Sequence, residues 1–298
     1  MESAMTPADT QLLHASCNIC GSSPVPAGSK QGNEKLITIQ NGYRIVKCNC
    51  CGFVYVNPRP DNETLKRLYL KYLPEKILDP LLWDAYMKDI FEKAANILMR
   101  RFPEGGKVLD IGCGYGFFLK QMKARGWQAY GVDVSETAVL YAKKHGIRTT
   151  LGTLDNIKYD ANYFDAVTLF YVLEHLPDPL NSIKEVKRIL KPNGLLLLRV
   201  PHTTPIVRIL KILGIKNNLY DPPFHLNDFS PQTVKALLKK GGFSNIRTYI
   251  GGATSPPSRL VRAVTAFFGI FAEMVYILSF GRILLPGVAK NTIAEKQG

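Results

Sequence analysis

The stretch that most constrains this chain runs from residue 107 to 125. Lys107–Ile111 is a short apolar strand pattern, Gly112-Cys113-Gly114-Tyr115-Gly116 is a glycine-rich turn, and residues 117–125 continue as an apolar-faced helix. Glycines without a Cβ let the backbone pass close beneath a ligand, and the N-terminus of the helix offers unpaired N–H groups. A nucleoside and a carboxylate attached to it suit such a turn. A dinucleotide does not, because its G-x-G-x-x-G fingerprint needs a third glycine where Phe117 stands. Residues 127–132 then form a second strand pattern ending in Asp133, about twenty residues after the turn, where a carboxylate can accept hydrogen bonds from both ribose hydroxyls.

Upstream, two cysteine pairs mirror one another. Cys17 and Cys20 precede Gly21, and Cys48 and Cys51 precede Gly52. Each C-x-x-C-Gly turn presents two sulfurs from one tight knuckle, and two knuckles supply the four thiolates of a tetrahedral zinc site. Cys50 lies outside this spacing. Between the knuckles, residues 36–40 and 43–47 flank Asn41-Gly42, a strong hairpin signal, and residues 53–56 read as a third strand. The expectation is a zinc ribbon over residues 1–60. With four thiolates the ion keeps no open position, so its role is structural. Asp61 then caps a helix through Tyr72 and a second helix covers Pro80–Arg101, giving a helical layer over residues 61–101 with Trp83, Tyr86 and Phe91 as packing.

Downstream, Ser135 caps a helix through His145, and strands are expected at 147–151, 164–172 and 195–200, with a helix at 180–190. Alternating strands and helices predict a parallel sheet whose ligands lie beyond the carboxyl ends of its strands. Residues 246–250 and 283–289 read as a closing antiparallel pair.

Two of these motifs resemble those of the class I S-adenosylmethionine-dependent methyltransferases. Val108-Leu109-Asp110-Ile111-Gly112-Cys113-Gly114-Tyr115-Gly116 looks like their first motif and Gly131-Val132-Asp133-Val134-Ser135 like their second, over residues 102–290. The ribbon followed by Phe53-Val54-Tyr55-Val56-Asn57-Pro58 resembles a bacterial small-molecule subgroup carrying such an extension. The resemblance implies an α/β fold: a Rossmann-like, doubly wound, mostly parallel seven-stranded sheet with an antiparallel last strand, occupying residues 102–298 beside the ribbon. It also implies S-adenosylmethionine as cofactor. The backbone of Gly112, Cys113, Gly114, Tyr115 and Gly116 would lie against its methionine part, Asp110 would support the turn and the amino group, and Asp133 would hold the ribose beside Val134. Many relatives place an acid after the third strand for the adenine; here Gly152-Thr153-Leu154-Asp155 offers the backbone of Thr153 and Leu154. Phe170, at the end of the fourth strand, is counted with these contacts.

The segment Tyr171-Val172-Leu173-Glu174-His175-Leu176 is similar to the Glu-His-Leu segment of many small-molecule methyltransferases. His175 reads either as a base or, with Glu174, as an organiser of the loop. Asp221-Pro222-Pro223-Phe224 resembles the signature of enzymes that methylate amino groups of bases or glutamine, but follows the fifth strand rather than the fourth and is read as a proline-rich loop. His225 follows it, in the segment expected to roof the acceptor, with a neutral-range pKa suited to deprotonating a hydroxyl or an activated carbon. His225 and His175 are the catalytic candidates. Methyl transfer from an activated sulfonium depends chiefly on positioning, so neither is obligatory.

Lysine and arginine number 38 against 24 aspartates and glutamates, a net charge of +14. This favours an anionic partner, but no basic run with interleaved aromatics marks a nucleic-acid groove. A small-molecule acceptor is the preferred partner, a sugar, lipid-linked saccharide or secondary metabolite. The rivals are a non-catalytic nucleotide-binding assembly module and an RNA-modifying methyltransferase. The start of the chain lacks a secretory pattern and the cysteines fit a reducing compartment, so a cytoplasmic location is expected. Residues 206–213 are cationic and apolar, and residues 259–285 are longer and more hydrophobic, interrupted by Glu273. A helical hairpin is expected as an insertion at about 253–282, meeting a membrane surface, a second copy through 258–285, or the pocket.

Overall fold

The computed structural model describes residues 11–24, 33–76, 79–250, 259–279, 284–285 and 289–298. In the N-terminal part, β1 (Leu12–Leu13) pairs with β5 (Arg59–Pro60), while β2 (Glu34–Gln40), β3 (Tyr43–Cys48) and β4 (Val54–Val56) form an antiparallel meander. The β2–β3 hairpin turns at Asn41-Gly42, with φ of 48° and 79°. Both lie in the left-handed region that the twist-matched two-residue turn requires. Helix α1 (Asn62–Lys76) starts where the Asp61 carboxylate accepts the Thr64 N–H at 2.7 Å. Helix α2 (Pro80–Arg101) starts at Asp79, which accepts the Leu81 N–H, and buries Met87, Ile90, Phe91, Ala94, Ala95 and Leu98 along one face.

The remaining elements alternate. Strand β6 (Lys107–Ile111), α3 (Phe117–Ala124), β7 (Gln128–Asp133), α4 (Glu136–Lys144), β8 (Arg148–Leu151) and β9 (Phe164–Phe170) are followed by α5 (Pro179–Ile189), β10 (Leu190–Val200) and α6 (Thr204–Ile212). Then come β11 (Asn227–Asp228), α7 (Pro231–Lys240), β12 (Phe243–Ile250), α8 (Arg259–Leu278) and β13 (Lys290–Lys296). The main sheet has seven strands in the order β12-β13-β10-β9-β6-β7-β8. Strands β10, β9, β6, β7 and β8 are parallel, and β13 runs antiparallel between β12 and β10. The doubly wound, mostly parallel sheet with an antiparallel last strand is therefore the fold that forms.

The last strand lies later than its apolar pattern implied. Residues 284–285 are not strand, 283 and 286–288 fall outside the described residues, and the pairing runs through Lys290–Lys296 instead. That segment is polar, yet Lys290, Asn291 and Thr292 are essentially fully buried, because neighbours on both sides supply their backbone partners. The hydrophobic insertion contains α8; its expected flanks at 253–258 and 280–282 lie outside the described residues. Among the described residues, no helix is long and apolar enough to cross a membrane.

The ribbon is built into the sheet domain. Strand β11 adds to β4, giving a four-stranded sheet β11-β4-β3-β2 that joins segments about 170 residues apart. Cys17, Ile19, Val46, Cys48, Phe53 and Tyr55 belong to the same apolar cluster as Leu109, Leu169, Leu198, Phe229 and Leu237. The rings of Phe53 and Phe229 meet with centroids 5.1 Å apart. The opposite face of the main sheet is covered by α2, α3 and α4.

Candidate active site

At the carboxyl end of β6 the chain reverses sharply: the N–H groups of Gly112 and Cys113 both donate to the Val132 carbonyl, at 2.8 and 3.1 Å. Gly112 has φ of 70°, and a Cβ there would lie 2.3 Å from Cγ2 of Val172. Gly114 has φ of 51° and no heavy atom within 4 Å of where its Cβ would stand, which leaves open backbone facing the site. Its N–H donates to Oδ2 of Asp133 at 2.7 Å, and Oδ1 of Asp133 accepts the Ser135 N–H at 2.8 Å. Backbone N–H groups thus engage both oxygens, the Val134 N–H among them, and a carboxylate's remaining lone pairs can still accept a hydroxyl. Burial raises the pKa of Asp133.

Asp110 is 2% exposed and accepts the Thr168 hydroxyl at 2.6 Å. Burial pushes its carboxyl up to about 8. The other members of the expected cofactor set divide between backbone and packing. Cys113 is buried, its thiol pushed up by burial, and its sulfur occupies the space that a Cβ on Gly131 would fill. Tyr115 packs edge-on against Tyr141, and Phe170 sits between the rings of Phe91 and Phe118. Val134 is half-buried between Asp133 and Ser135. Beyond β8, Thr153 is exposed with its carbonyl accepting the N–H groups of Asn156 and Ile157, and Leu154 is buried in the core.

Two residues past the end of β9, a turn of 3₁₀ helix carries Leu173–His175. The 221–228 loop folds onto it. The Leu226 N–H donates to the Glu174 carbonyl at 2.9 Å, and Nδ2 of Asn227 donates to the Leu176 carbonyl at 2.8 Å. Nδ1 of His175 lies 2.9 Å from the Phe224 carbonyl, which can only accept, so the proton sits on Nδ1 and Nε2 carries the lone pair. The rings of His175 and His225 are 4.8 Å apart and nearly perpendicular. Burial and then the neighbouring His225 pull His175 down to about 3, keeping it neutral. The two histidines singled out separately in the sequence are thus brought together. The Asp221-Pro222-Pro223-Phe224 stretch is the scaffold that presents the second of them.

Two features escaped the sequence reading. The hydroxyl of Tyr69 on α1 lies 2.9 Å from the His175 carbonyl and 2.6 Å from the Phe224 carbonyl, its single proton shared between them, which ties the helical layer to the site. A tyrosine in a helix gives no local sign of such a role. At the ends of β10 and β13, Arg199 is 1% exposed, donates from Nε to the Tyr171 hydroxyl at 2.7 Å and lies over that ring. Lys290, equally buried, donates to the Leu285 carbonyl, and burial followed by Arg199 pulls it down to about 8. This cationic corner borders the same edge of the sheet as the glycine turn after β6.

The four knuckle cysteines converge. Cys17 Sγ is 3.5 Å from Cys51 Sγ, Cys20 Sγ is 3.6 Å from Cys48 Sγ, and all four sulfurs lie within 4.8 Å of one another. A tetrahedron with zinc–sulfur bonds of about 2.3 Å has edges of roughly 3.8 Å, so the donor set fits zinc. The knuckles share one hydrogen-bond pattern: Cys17 N–H to Ser22 and Gly21 N–H to Cys17, repeated as Cys48 to Phe53 and Gly52 to Cys48. Cys50 is exposed and outside the cluster.

Residues 84–248, more than half of the chain, match the profile of the methyltransferase domain. The chain belongs to this methyltransferase family. Its cosubstrate is S-adenosylmethionine, and the open backbone at Gly114 beside Asp133 fits that molecule. Among curated proteins, the chain is 32% identical over 151 residues to a ubiquinone biosynthesis O-methyltransferase of Xanthomonas axonopodis pv. citri, covering 47% of this chain and 63% of the relative. It is 33% identical over 136 residues to the enzyme of the same description from Haemophilus ducreyi, covering 42% and 58%. The match therefore spans about three fifths of each of these relatives. The fold is shared with a chain from the complex between the Haloferax volcanii Trm112 methyltransferase activator and a methyltransferase, at a TM-score of 0.53 and 18% identity over 77% of this chain and 98% of that one.

Proposed function

We propose that this protein transfers the methyl group of S-adenosylmethionine to an oxygen of a small molecule. The observation that supports the reading is the meeting of the His175 and His225 rings, 4.8 Å apart, in the segment that follows Val172, whose side chain packs on the Gly112 turn. In the reaction the acceptor oxygen forms a bond to the methyl carbon, the carbon–sulfur bond breaks with its electron pair going to sulfur, and the hydroxyl proton leaves toward the histidine pair. Asp133 holds the ribose, Asp110 supports the turn and the amino group, and the backbone of residues 112–116 lies against the methionine part. Thr153 and Leu154 border the adenine. The relatives' O-methyl chemistry supports oxygen as the acceptor atom, and a sugar, a lipid-linked saccharide or another secondary metabolite as its bearer. The four thiolates hold a structural zinc ion that fixes the ribbon, and with it β11 and His225.

The exposed faces of α6 and α8 support a further contact. Phe267, Ile270, Met274 and Ile277 form an outward stripe on α8, and Ile209, Ile212 and Leu213 on α6 alternate with Arg208 and Lys211. Val200, Lys290 and Ile250 are in register, so both helices follow strand ends at one edge of the sheet. An anionic membrane surface or a second copy of the chain suits these faces. Sedimentation with anionic vesicles and the molar mass in solution separate the two.

The test of the function is calorimetric titration of zinc-loaded protein with S-adenosylmethionine, followed by transfer of labelled methyl to a panel of hydroxylated aromatics and saccharides. Micromolar binding that is lost in Asp133→Ala, with label appearing on an oxygen, supports the reading. No binding by intact protein overturns it in favour of an assembly module, and label on RNA overturns the small-molecule acceptor.

A further inference from the structure

Glu174 presents a problem that the methyl-transfer reading leaves unsolved. Its side chain is 1% exposed, and among the described residues neither carboxylate oxygen has a hydrogen-bond partner. An unsatisfied buried carboxylate is costly, and a native chain retains one where something absent from the protein atoms satisfies it. The carboxylate, an imidazole nitrogen of His175 and one of His225 lie within 4.8 Å of one another, each able to offer one ligand atom.

We infer that Glu174, His175 and His225 form a second metal site, taking a divalent first-row transition ion such as manganese, iron or cobalt. The inference rests on the function proposed above and deepens it. Two imidazoles and one carboxylate with open positions are a donor set for such ions, whereas magnesium prefers oxygen alone. The surroundings have the form that ligating histidines need. Nδ1–H of His175 donates to the Phe224 carbonyl, which leaves Nε2 as the nitrogen with a lone pair to ligate an ion. The Tyr69 hydroxyl shares its proton between the same carbonyl and that of His175, bracing both ligand-bearing segments. The Leu226 N–H to Glu174 carbonyl bond sets the two segments in register, and β11 clamps the second to the ribbon through β4.

Three protein ligands leave two or three positions for small oxygen donors, so the acceptor class that fits is a molecule with two adjacent oxygens, such as a catechol or an α-hydroxy carbonyl compound. With His175 and His225 engaged as ligands, an ion held there would acidify a bound hydroxyl and its proton would pass to solvent, in place of the transfer to the histidine pair written above for the ion-free site. The four-cysteine cluster is separate, soft and closed, and selects zinc.

The experiment titrates manganese(II) into full-length, zinc-loaded protein, following the loss of the free-ion electron paramagnetic resonance signal; thiolate sites discriminate against this ion. The expected result is one manganese per chain, bound about tenfold or more weakly by His225→Ala and by Glu174→Gln, with zinc content unchanged. Glu174→Gln keeps the side-chain volume and removes the unsatisfied buried carboxyl group, so in metal-free buffer its melting temperature should match or exceed that of the parent. Stoichiometric manganese binding lost in both variants supports the site. No stoichiometric binding, or binding that both variants retain, overturns it. Titration with S-adenosylmethionine in the same samples keeps the readings apart: cofactor binding without manganese binding sinks the ion site alone, and the reverse sinks the methyltransferase function alone.

Discussion

The proposed cofactor side and the proposed acceptor side of the sheet's carboxyl edge differ in how far apart along the chain their parts lie. Gly112, Gly114 and Asp133 belong to one strand–turn–helix–strand unit, and their contacts are mostly to backbone within 25 residues. Tyr69, His175 and His225 come from α1, the turn after β9 and a loop beyond α6, and they meet only because β11 joins a sheet begun near residue 34. A site of the first kind survives damage elsewhere. One of the second kind depends on every segment that holds it.

The sharpest way to break the comparison is at the ribbon. Cys48→Ser should cost the metal-linked folding energy of the knuckle pair, lowering the melting temperature by about 10 °C or more in calorimetry. Acceptor turnover should vanish with it, because β4 and β11 lose their support. If turnover persists at parental stability, the acceptor side does not depend on the ribbon.

Gly112→Ala attacks the other side. Its methyl would overlap Val172 and force an L residue to φ of 70°, so cofactor affinity should fall about a hundredfold while far-ultraviolet circular dichroism stays unchanged. Asp133→Ala should follow, losing charge-assisted hydrogen bonds of about 1.5–3 kcal/mol, or roughly ten- to a hundredfold in affinity by calorimetry. Tyr69→Phe removes one hydroxyl from the acceptor side. A loss of about 1 kcal/mol, near fivefold in kcat with cofactor affinity intact, is expected from steady-state kinetics.

The smallest effect concerns pH. Asp110 is raised in the folded protein to about 8 from an ordinary 3.8, chiefly by burial. Its contribution to stability is therefore complete below pH 3.8 and is lost progressively as the pH rises to about 8. Asp110→Asn keeps an oxygen for the Thr168 hydroxyl and removes this loss. Its melting temperature should gain on the parent between pH 4 and 8, and the gap should level off above that range. Parallel curves would show that Asp110 stays ionised.

Much of the fold was legible because its signals are local. The glycine turn, the Asp133 strand end, the Asn41-Gly42 hairpin and the twin knuckles each declare themselves within a few residues, through φ requirements and short spacings. The last strand was misplaced because Lys290–Lys296 is polar and becomes a strand only by lying between β12 and β10. The pairing of His175 with His225 and the role of Tyr69 left no local mark, since a side chain's partners 50 or 100 residues away do not alter the pattern around it.

By itself, then, the sequence determined the α/β class, the glycine turn with the Asp133 carboxylate beside it and the four-cysteine cluster, because backbone conformation and ligand spacing act over short range. Only the tertiary structure decided that the ribbon and the sheet domain share one core, that β11 completes the ribbon's sheet, and that Glu174, His175 and His225 converge. The physical reason is that pairing and burial are satisfied by whichever distant segment reaches the open edge, and that choice is made by the packing of the whole chain.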